Sequence, residues 1–151
     1  MIKIITVGNI KEKYLKDAIE EYSKRIKKYT SLEIIEVKDE GLVEAEKAIS
    51  LEGIKINKHI NPKDYIITME IDGKELTSIE FSQKLDQILI ENSNITFIIG
   101  GSYGLSQDIK NKAKLHLSFS KMTFPHQLFR VMLLEQIYRS YKIINNESYH
   151  K

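Results

Sequence analysis

Hydrophobic residues along this chain switch between two periods, and the switches mark out its elements. Five short segments carry the strand signal of β-branched and aromatic residues in runs or alternation: Lys3–Val7, Leu32–Val37, Tyr65–Ile71, Ile95–Ile99 and Leu115–Phe119. The third ends at Asp72-Gly73, which reads as a turn. Between the strands, apolar residues recur every three or four positions. Leu15, Ala18, Ile19, Tyr22, Ile26 and Tyr29 predict a helix over Tyr14–Tyr29. A second covers Leu42–His59, with Gly53 as its weak point. A third, Ser78–Glu91, follows Thr77 and Glu80, which are spaced as a capping box. Ser106 is placed to cap a short helix over Gln107–Ala113. The last helix, His126–Ile143, is apolar on more than one side, at Val131, Met132, Leu133, Leu134, Ile137, Tyr138 and Tyr141. Such a helix needs a second partner besides its own core. Strands alternating with helices predict an α/β fold with a largely parallel sheet, and no repeat or linker divides residues 1–151, so they form a single domain.

Punctuation concentrates near the end of the fourth strand. Ile99 is followed by Gly100, Gly101, Ser102, Tyr103 and Gly104, and the fifth strand by Ser120, Lys121, Met122, Thr123, Phe124 and Pro125. Ligands of open parallel sheets bind at the carboxyl ends of strands, where such loops sit. The glycine run is GGxxG rather than GxGxxG, and it follows the fourth strand rather than the first, which argues against a dinucleotide fingerprint. Two readings of the run remain: the glycines only turn the chain, or they let a ligand approach the backbone closely.

Composition removes several function classes. With 42% apolar residues and no apolar run near the roughly 20 residues of a membrane span, a folded cytoplasmic protein is expected. The apolar run at the N-terminus is too short for a signal peptide. There is no Cys, and His59, His116, His126 and His150 are scattered, so no metal is expected. No GxSxG elbow marks a serine nucleophile, and Asp39-Glu40 reads as solvated loop. Charge is uneven. Residues 1–100 carry 15 Lys+Arg against 18 Asp+Glu, and residues 101–151 carry 8 against 3, a net of −3 and of +5. A basic end facing a polyanion is one reading, and clustered solvated charge is the other. Lys24, Arg25, Lys27 and Lys28 end the first long helix, where cations complement the helix dipole or meet RNA phosphates. Met69, Leu105, Phe119 and Met122 are available either for core packing or to enclose the apolar parts of a nucleoside ligand.

The combination FIIGGSYGLS, LSFSKMTFPHQLFRVMLLEQIYRSY and a tail ending NNESYHK resembles the ribosomal large subunit methyltransferase H family, a small branch of the SPOUT methyltransferases, along the whole chain. The resemblance implies a C-terminal trefoil knot from about Ile95 onward, a homodimer, S-adenosyl-L-methionine as cofactor and no metal. It also implies methylation of N3 of a pseudouridine in helix 69 of 23S rRNA, on the assembled ribosome. Carried over residue by residue, the cofactor would be held at Met69, where the family commonly has Leu, and at Gly100, with Gly101 and Gly104 shaping the turn. Phe119, Ser120, Lys121, Met122, Thr123 and Phe124 would supply the rest. Ser120, Thr123, Pro125 and His126 match the family's motif closely, and Phe119 and Lys121 are its looser positions. The tail would act beside the cofactor pocket of the partner subunit. There His150 is the first and Tyr149 the second candidate for taking the imide proton, with Arg139 stabilising the developing negative charge. Lys151 stands where the family more often has Arg, which loses a bidentate phosphate fork. Two readings from other classes compete: a non-catalytic RNA-binding protein of the same fold, and a flavodoxin-like nucleotide module. The single glycine of the first βα turn, Gly8-Asn9, disfavours the latter.

Overall fold

A computed structural model describes residues 1–151. Five parallel strands form one sheet in the order β2-β1-β4-β3-β5: β1 is Ile2–Val7, β2 Leu32–Val37, β3 Tyr65–Glu75, β4 Ile95–Ile99 and β5 Leu115–Ser118. The helices are α1 (Lys13–Ile26), α2 (Ala45–Asn57), α3 (Ser78–Glu91), α4 (Gln107–Lys110) and α5 (His126–Ile144). The expected α/β class and parallel sheet are present.

The strand residues alternate between two cores, as the pleat demands. Ile4, Ile67, Phe97, Ile99 and Leu117 face one side, where they pack against α1, α3 and α5. Ile5, Val7, Ile66 and Ile98 face the other, against Ile56 of α2 and Ile109 of α4. Crossovers that run one way along the sheet (β1 to β2, β3 to β4) use the first face, and those that run the other way (β2 to β3, β4 to β5) use the second. A single handedness of crossover requires that division. Because β4 is central and completely buried along ITFII, its carboxyl end opens beneath both layers.

Local signals hold at the helix starts. Thr77 Oγ1 accepts from the Glu80 N–H at 3.1 Å, and Glu80 Oε1 accepts from the Thr77 N–H at 2.9 Å. Ser106 Oγ accepts from the Ile109 N–H at 3.3 Å. Three expectations are corrected. Helix α2 starts at Ala45, three residues later than the periodicity suggests, with Gly41–Val43 in a turn. Asp72-Gly73 does not end β3. The chain loops out after Met69 and rejoins β5 at Lys74 and Glu75, because Gly73 has no side chain to hold it off: a Cβ there would lie 2.8 Å from the backbone of His116 and Leu117. Glu40 is not merely solvated, since it forms an ion pair with Lys55 that holds its carboxyl below the usual range.

The last helix is anchored by a buried cation. Arg130 is 2% exposed, and its guanidinium donates to Glu36 Oε2 at 2.6 Å, Thr6 Oγ1 at 3.0 Å and the Gly8 carbonyl at 3.2 Å. Burying a guanidinium is costly unless it is paired, so α5 is fixed to the carboxyl ends of β1 and β2. The Lys11 N–H, donating to Gln127 Oε1 at 3.2 Å, ties the first βα loop to the start of α5.

Candidate active site

The carboxyl ends of β3, β4 and β5 surround a cleft of about 430 Å³. Its floor is the core itself: Met69, Ile99 and Leu117 are buried strand residues that also line it. One wall is the glycine loop. Gly101 and Gly104 form an antiparallel bridge, the Gly104 N–H donating to the Gly101 carbonyl at 3.1 Å. Gly104 has φ +88°, a conformation that disfavours any side chain. Gly100 is glycine for another reason: a Cβ there would sit 2.8 Å from the Gly104 carbonyl. Its missing side chain therefore lets the loop close on itself, and a Cβ would strike the loop before any ligand.

The opposite wall is the segment between β5 and α5. Ser120 Oγ accepts from the Met122 N–H at 3.0 Å, and the Ser120 carbonyl accepts from Ser118 Oγ at 3.0 Å, so the serines shape their own turn. Phe119 and Phe129 pack with ring centroids 5.1 Å apart, and Phe124 stacks on Phe129 at 6.3 Å. Nine of the ten residues expected to hold a cofactor line this one cleft: Met69, Gly100, Gly101, Gly104, Phe119, Ser120, Met122, Thr123 and Phe124. Lys121 does not line it; its side chain is exposed. Met122, at 74% exposure, and Tyr103, at 49%, stand at the surface beside it.

Sequence reasoning singled out His126 but missed the other charged residues of the cleft. Glu70, Asp72, Lys110 and His126 line it as well. Burial alone would raise the pKa of Glu70. Hydrogen bonds from Thr68 Oγ1, at 2.6 Å, and from His116 Nδ1 outweigh that and hold the carboxyl below its ordinary range. Lys110 Nζ lies 3.6 Å from the other oxygen, Oε1. Only the TMEIDG context at a strand end could have flagged Glu70.

The three expected catalytic residues also come together, but elsewhere. Arg139 donates from Nε to Glu135 Oε1 at 3.0 Å and from Nη2 to the same oxygen at 2.6 Å. Tyr149 donates its hydroxyl to Glu135 Oε1 at 3.1 Å. Its ring packs edge-on to Tyr138 at 4.9 Å and lies under the Arg139 guanidinium at 4.7 Å. The tail is thus tied down rather than frayed. Arg139 Nη1 lies 3.1 Å from His150 Nδ1. A guanidinium can only donate, so Nδ1 accepts and the proton of a neutral ring sits on Nε2. While that bond holds, His150 has no free lone pair. Burial and the Glu135 carboxylate push the Tyr149 phenol up to about 12, so phenolate is scarce at neutral pH.

None of Arg139, Tyr149 and His150 lines the cleft of its own chain. Between the cleft and the tail lies a second groove of about 510 Å³. It shares Leu117, Phe119 and Phe124 with the cleft and reaches Glu135, the residue that holds Arg139 and Tyr149.

Comparison with known proteins identifies the family. The sequence model of the family described as "Predicted SPOUT methyltransferase" matches residues 1–150. A Methanococcus maripaludis protein, provisionally named ribosomal RNA large subunit methyltransferase H, is 56% identical, the match covering 99% of each chain. A Clostridium botulinum protein named ribosomal RNA large subunit methyltransferase H is 54% identical with the same coverage. In fold, the chain is similar to a solved structure from Haemophilus influenzae Rd KW20, described as a probable methylase family protein. That match has a TM-score of 0.56 at 13% identity and covers 99% of this chain and 70% of the other. The chain belongs to the SPOUT methyltransferases, in the family of the ribosomal RNA large subunit methyltransferases H.

Proposed function

We propose that the protein is a 23S rRNA (pseudouridine-N3)-methyltransferase, using S-adenosyl-L-methionine on helix 69 of the assembled ribosome. The observation that carries the cofactor reading is the cleft. Three segments far apart in sequence converge on it, and each is one that the resemblance assigns to the cofactor. Its volume suits a nucleoside-sized ligand, since small-molecule sites span roughly 300–1,000 Å³. Its donor set suits one too: Gly100–Gly104 offers bare backbone for an adenine edge, and Met69 and Phe119 offer apolar contact. The RNA substrate is supported by the names of the relatives and by the positive charge of residues 101–151.

Bound S-adenosylmethionine supplies a methyl group on a sulfonium, which needs no further activation. The protein's part is therefore alignment of the acceptor nitrogen and management of its proton. The buried floor and self-closed glycine loop fix the cleft before ligand arrives, which lowers the ordering cost of binding. Arg139, held rigid by Glu135, is suited to stabilise negative charge on the ring after the N3 proton leaves. His150 can take that proton only after leaving Arg139, and the carbonyl oxygens flanking N3 of the incoming neutral ring compete for the same guanidinium, which then holds the negative charge once the proton has left. The two events are then one exchange: the ring replaces His150 on Arg139, and the freed Nδ1 becomes the base.

We further infer a homodimer in the cytoplasm, in which the tail of one subunit meets the cleft of the other. That Arg139, Tyr149 and His150 do not line the cleft of their own chain supports this. So does the exposed or half-exposed apolar strip Leu128, Val131 and Met132 on α5, which the core does not use. The trefoil knot belongs to the same reading. It is supported by β5 lying outside β3 and by the tight pass of β5 over Gly73.

Calorimetric titration with S-adenosylmethionine, followed by methyl transfer to unmethylated ribosomes, tests the function. Binding with saturable transfer is expected, and rRNA binding without cofactor affinity would favour the non-catalytic reading. Sedimentation at micromolar concentration should give a dimer, and a monomer would remove the two-subunit site.

A further inference from the structure

Glu70 and Lys110 are two groups of opposite charge on one wall of the cleft, and each has bonding capacity left over. Glu70 Oε2 is committed to Thr68 and His116. Glu70 Oε1 has only Lys110 near it, at 3.6 Å, which is an ion pair without a hydrogen bond. Lys110 Nζ makes no other contact with a carboxylate, and its side chain is 35% exposed against 16% for Glu70. The carboxylate is therefore pinned by its inner oxygen while its outer oxygen and the ammonium are free to separate. A cleft that was only an apolar slot for a nucleoside would have no use for a carboxylate locked in its charged form.

We propose that Glu70 and Lys110 form a subsite for an α-amino-acid head group, Glu70 Oε1 accepting from the ammonium and Lys110 Nζ donating to the carboxylate. A zwitterion is the ligand chemistry that matches an anion and a cation side by side, since it replaces their loose pair with two charge-assisted hydrogen bonds. The inference rests on the S-adenosylmethionine reading above and assigns the end of the ligand that reading leaves open. Asp72 is the other carboxylate on the cleft, and it is exposed, with no partner pinning it. His126 is the other potential cation and is also exposed.

The test compares two probes that share adenosine and a thioether but differ in the head group. S-adenosylhomocysteine carries the amino acid, and methylthioadenosine lacks it. Both are titrated calorimetrically into wild type, Glu70→Gln and Lys110→Met. Each variant should weaken S-adenosylhomocysteine by roughly tenfold or more, the scale of one charge-assisted hydrogen bond. Methylthioadenosine affinity should stay within about twofold in both, because the rest of the cleft is untouched. Equal weakening of both probes would overturn the proposal and move the pair to the ribose or adenine. Unchanged affinity for both would overturn it outright. Wild type that binds neither probe would sink the cofactor reading and the subsite with it, whereas wild type that binds both alongside indifferent variants would sink only the subsite. Glu70→Gln keeps the shape of the Thr68 and His116 contacts. Lys110→Met changes a partly exposed side chain, so one variant stays folded even if the buried network fails in the other.

Discussion

Deleting Ser148–Lys151 should abolish methyl transfer and also cost measurable stability. The second half rests on the packing of Tyr149. Tyr149 is half-buried, sits edge-on to Tyr138 at 4.9 Å and donates to Glu135 at 3.1 Å. An aromatic pair of this geometry contributes roughly 0.5–1.5 kcal/mol beyond its burial. The hydrogen bond to a partly buried carboxylate adds about 1 kcal/mol, taken at the low end because solvent reaches it. The sum is about 2 kcal/mol, or roughly 4–8 °C in Tm for a chain of this size. Tyr149→Phe should lose only the hydrogen-bond share and fall about midway. Differential scanning calorimetry measures both variants, with single-turnover methyl transfer to unmethylated ribosomes run beside it. The truncated protein should still bind S-adenosylmethionine if the tail acts only at the acceptor. His150→Ala should lower turnover by about 10²–10⁴-fold with cofactor affinity nearly unchanged. Full activity in the truncated protein would refute the two-subunit site. An unchanged Tm would refute the packing argument separately.

Three further outcomes are expected. Arg130→Met should destabilise by about 3 kcal/mol or more, because Glu36, Thr6 and the Gly8 carbonyl all lose their donor, and chemical denaturation reads it directly; a loss below about 1 kcal/mol would mean the buried guanidinium is dispensable. Gly104→Ala meets nothing within 4 Å but must adopt φ +88°, at about 1–2 kcal/mol, whereas Gly100→Ala collides with the Gly104 carbonyl; cofactor titration should therefore show the larger loss at Gly100, and the reverse order would put the strain elsewhere. Glu52 is almost fully buried in α2, and burial raises its pKa, so its folded pKa lies above the unfolded one; the stability it contributes is present below about pH 4.5, the ordinary carboxylate range, and is lost as pH rises through the folded value. Glu52→Gln, neutral at every pH and able to keep the acceptor for the Glu40 N–H, should gain on wild type as pH rises above the ordinary carboxylate range, as thermal melts at acid and neutral pH would show.

What the sequence made legible here follows from the range over which each signal acts. The strands and the capped helix α3 are local, since period 2, period 3.6 and a Thr-x-x-Glu box are all complete within a dozen residues. The bounds of β3 were not legible, because Asp72-Gly73 is a good turn locally and its continuation depends on β5, which arrives some forty residues later and needs a residue without a side chain beneath it. Gly53 shows the same limit: within α2 it looks like a weak point, but a Cβ there would lie 2.6 Å from Ser106 Oγ, so the glycine is where α4 seats against α2. Arg130 was half legible. It falls one turn before Leu133 and Leu134, on the buried stripe of α5, and a cation on that stripe must find partners, but nothing in sequence says that they are Thr6, Gly8 and Glu36. The candidate site divides along the same line. Its backbone parts were readable as glycine and serine punctuation after strands. Its charged parts were not, because Glu70 and Lys110 become neighbours only when β3 and α4 close over the ends of the sheet. The tail is the strongest case. Tyr149, His150 and Arg139 could be nominated from the chain, and they do assemble around Glu135, yet they assemble away from the cleft whose chemistry they would complete. On the function proposed above, these residues act at the cleft of a second copy. A catalytic centre that spans two chains leaves no spacing in either one to be read.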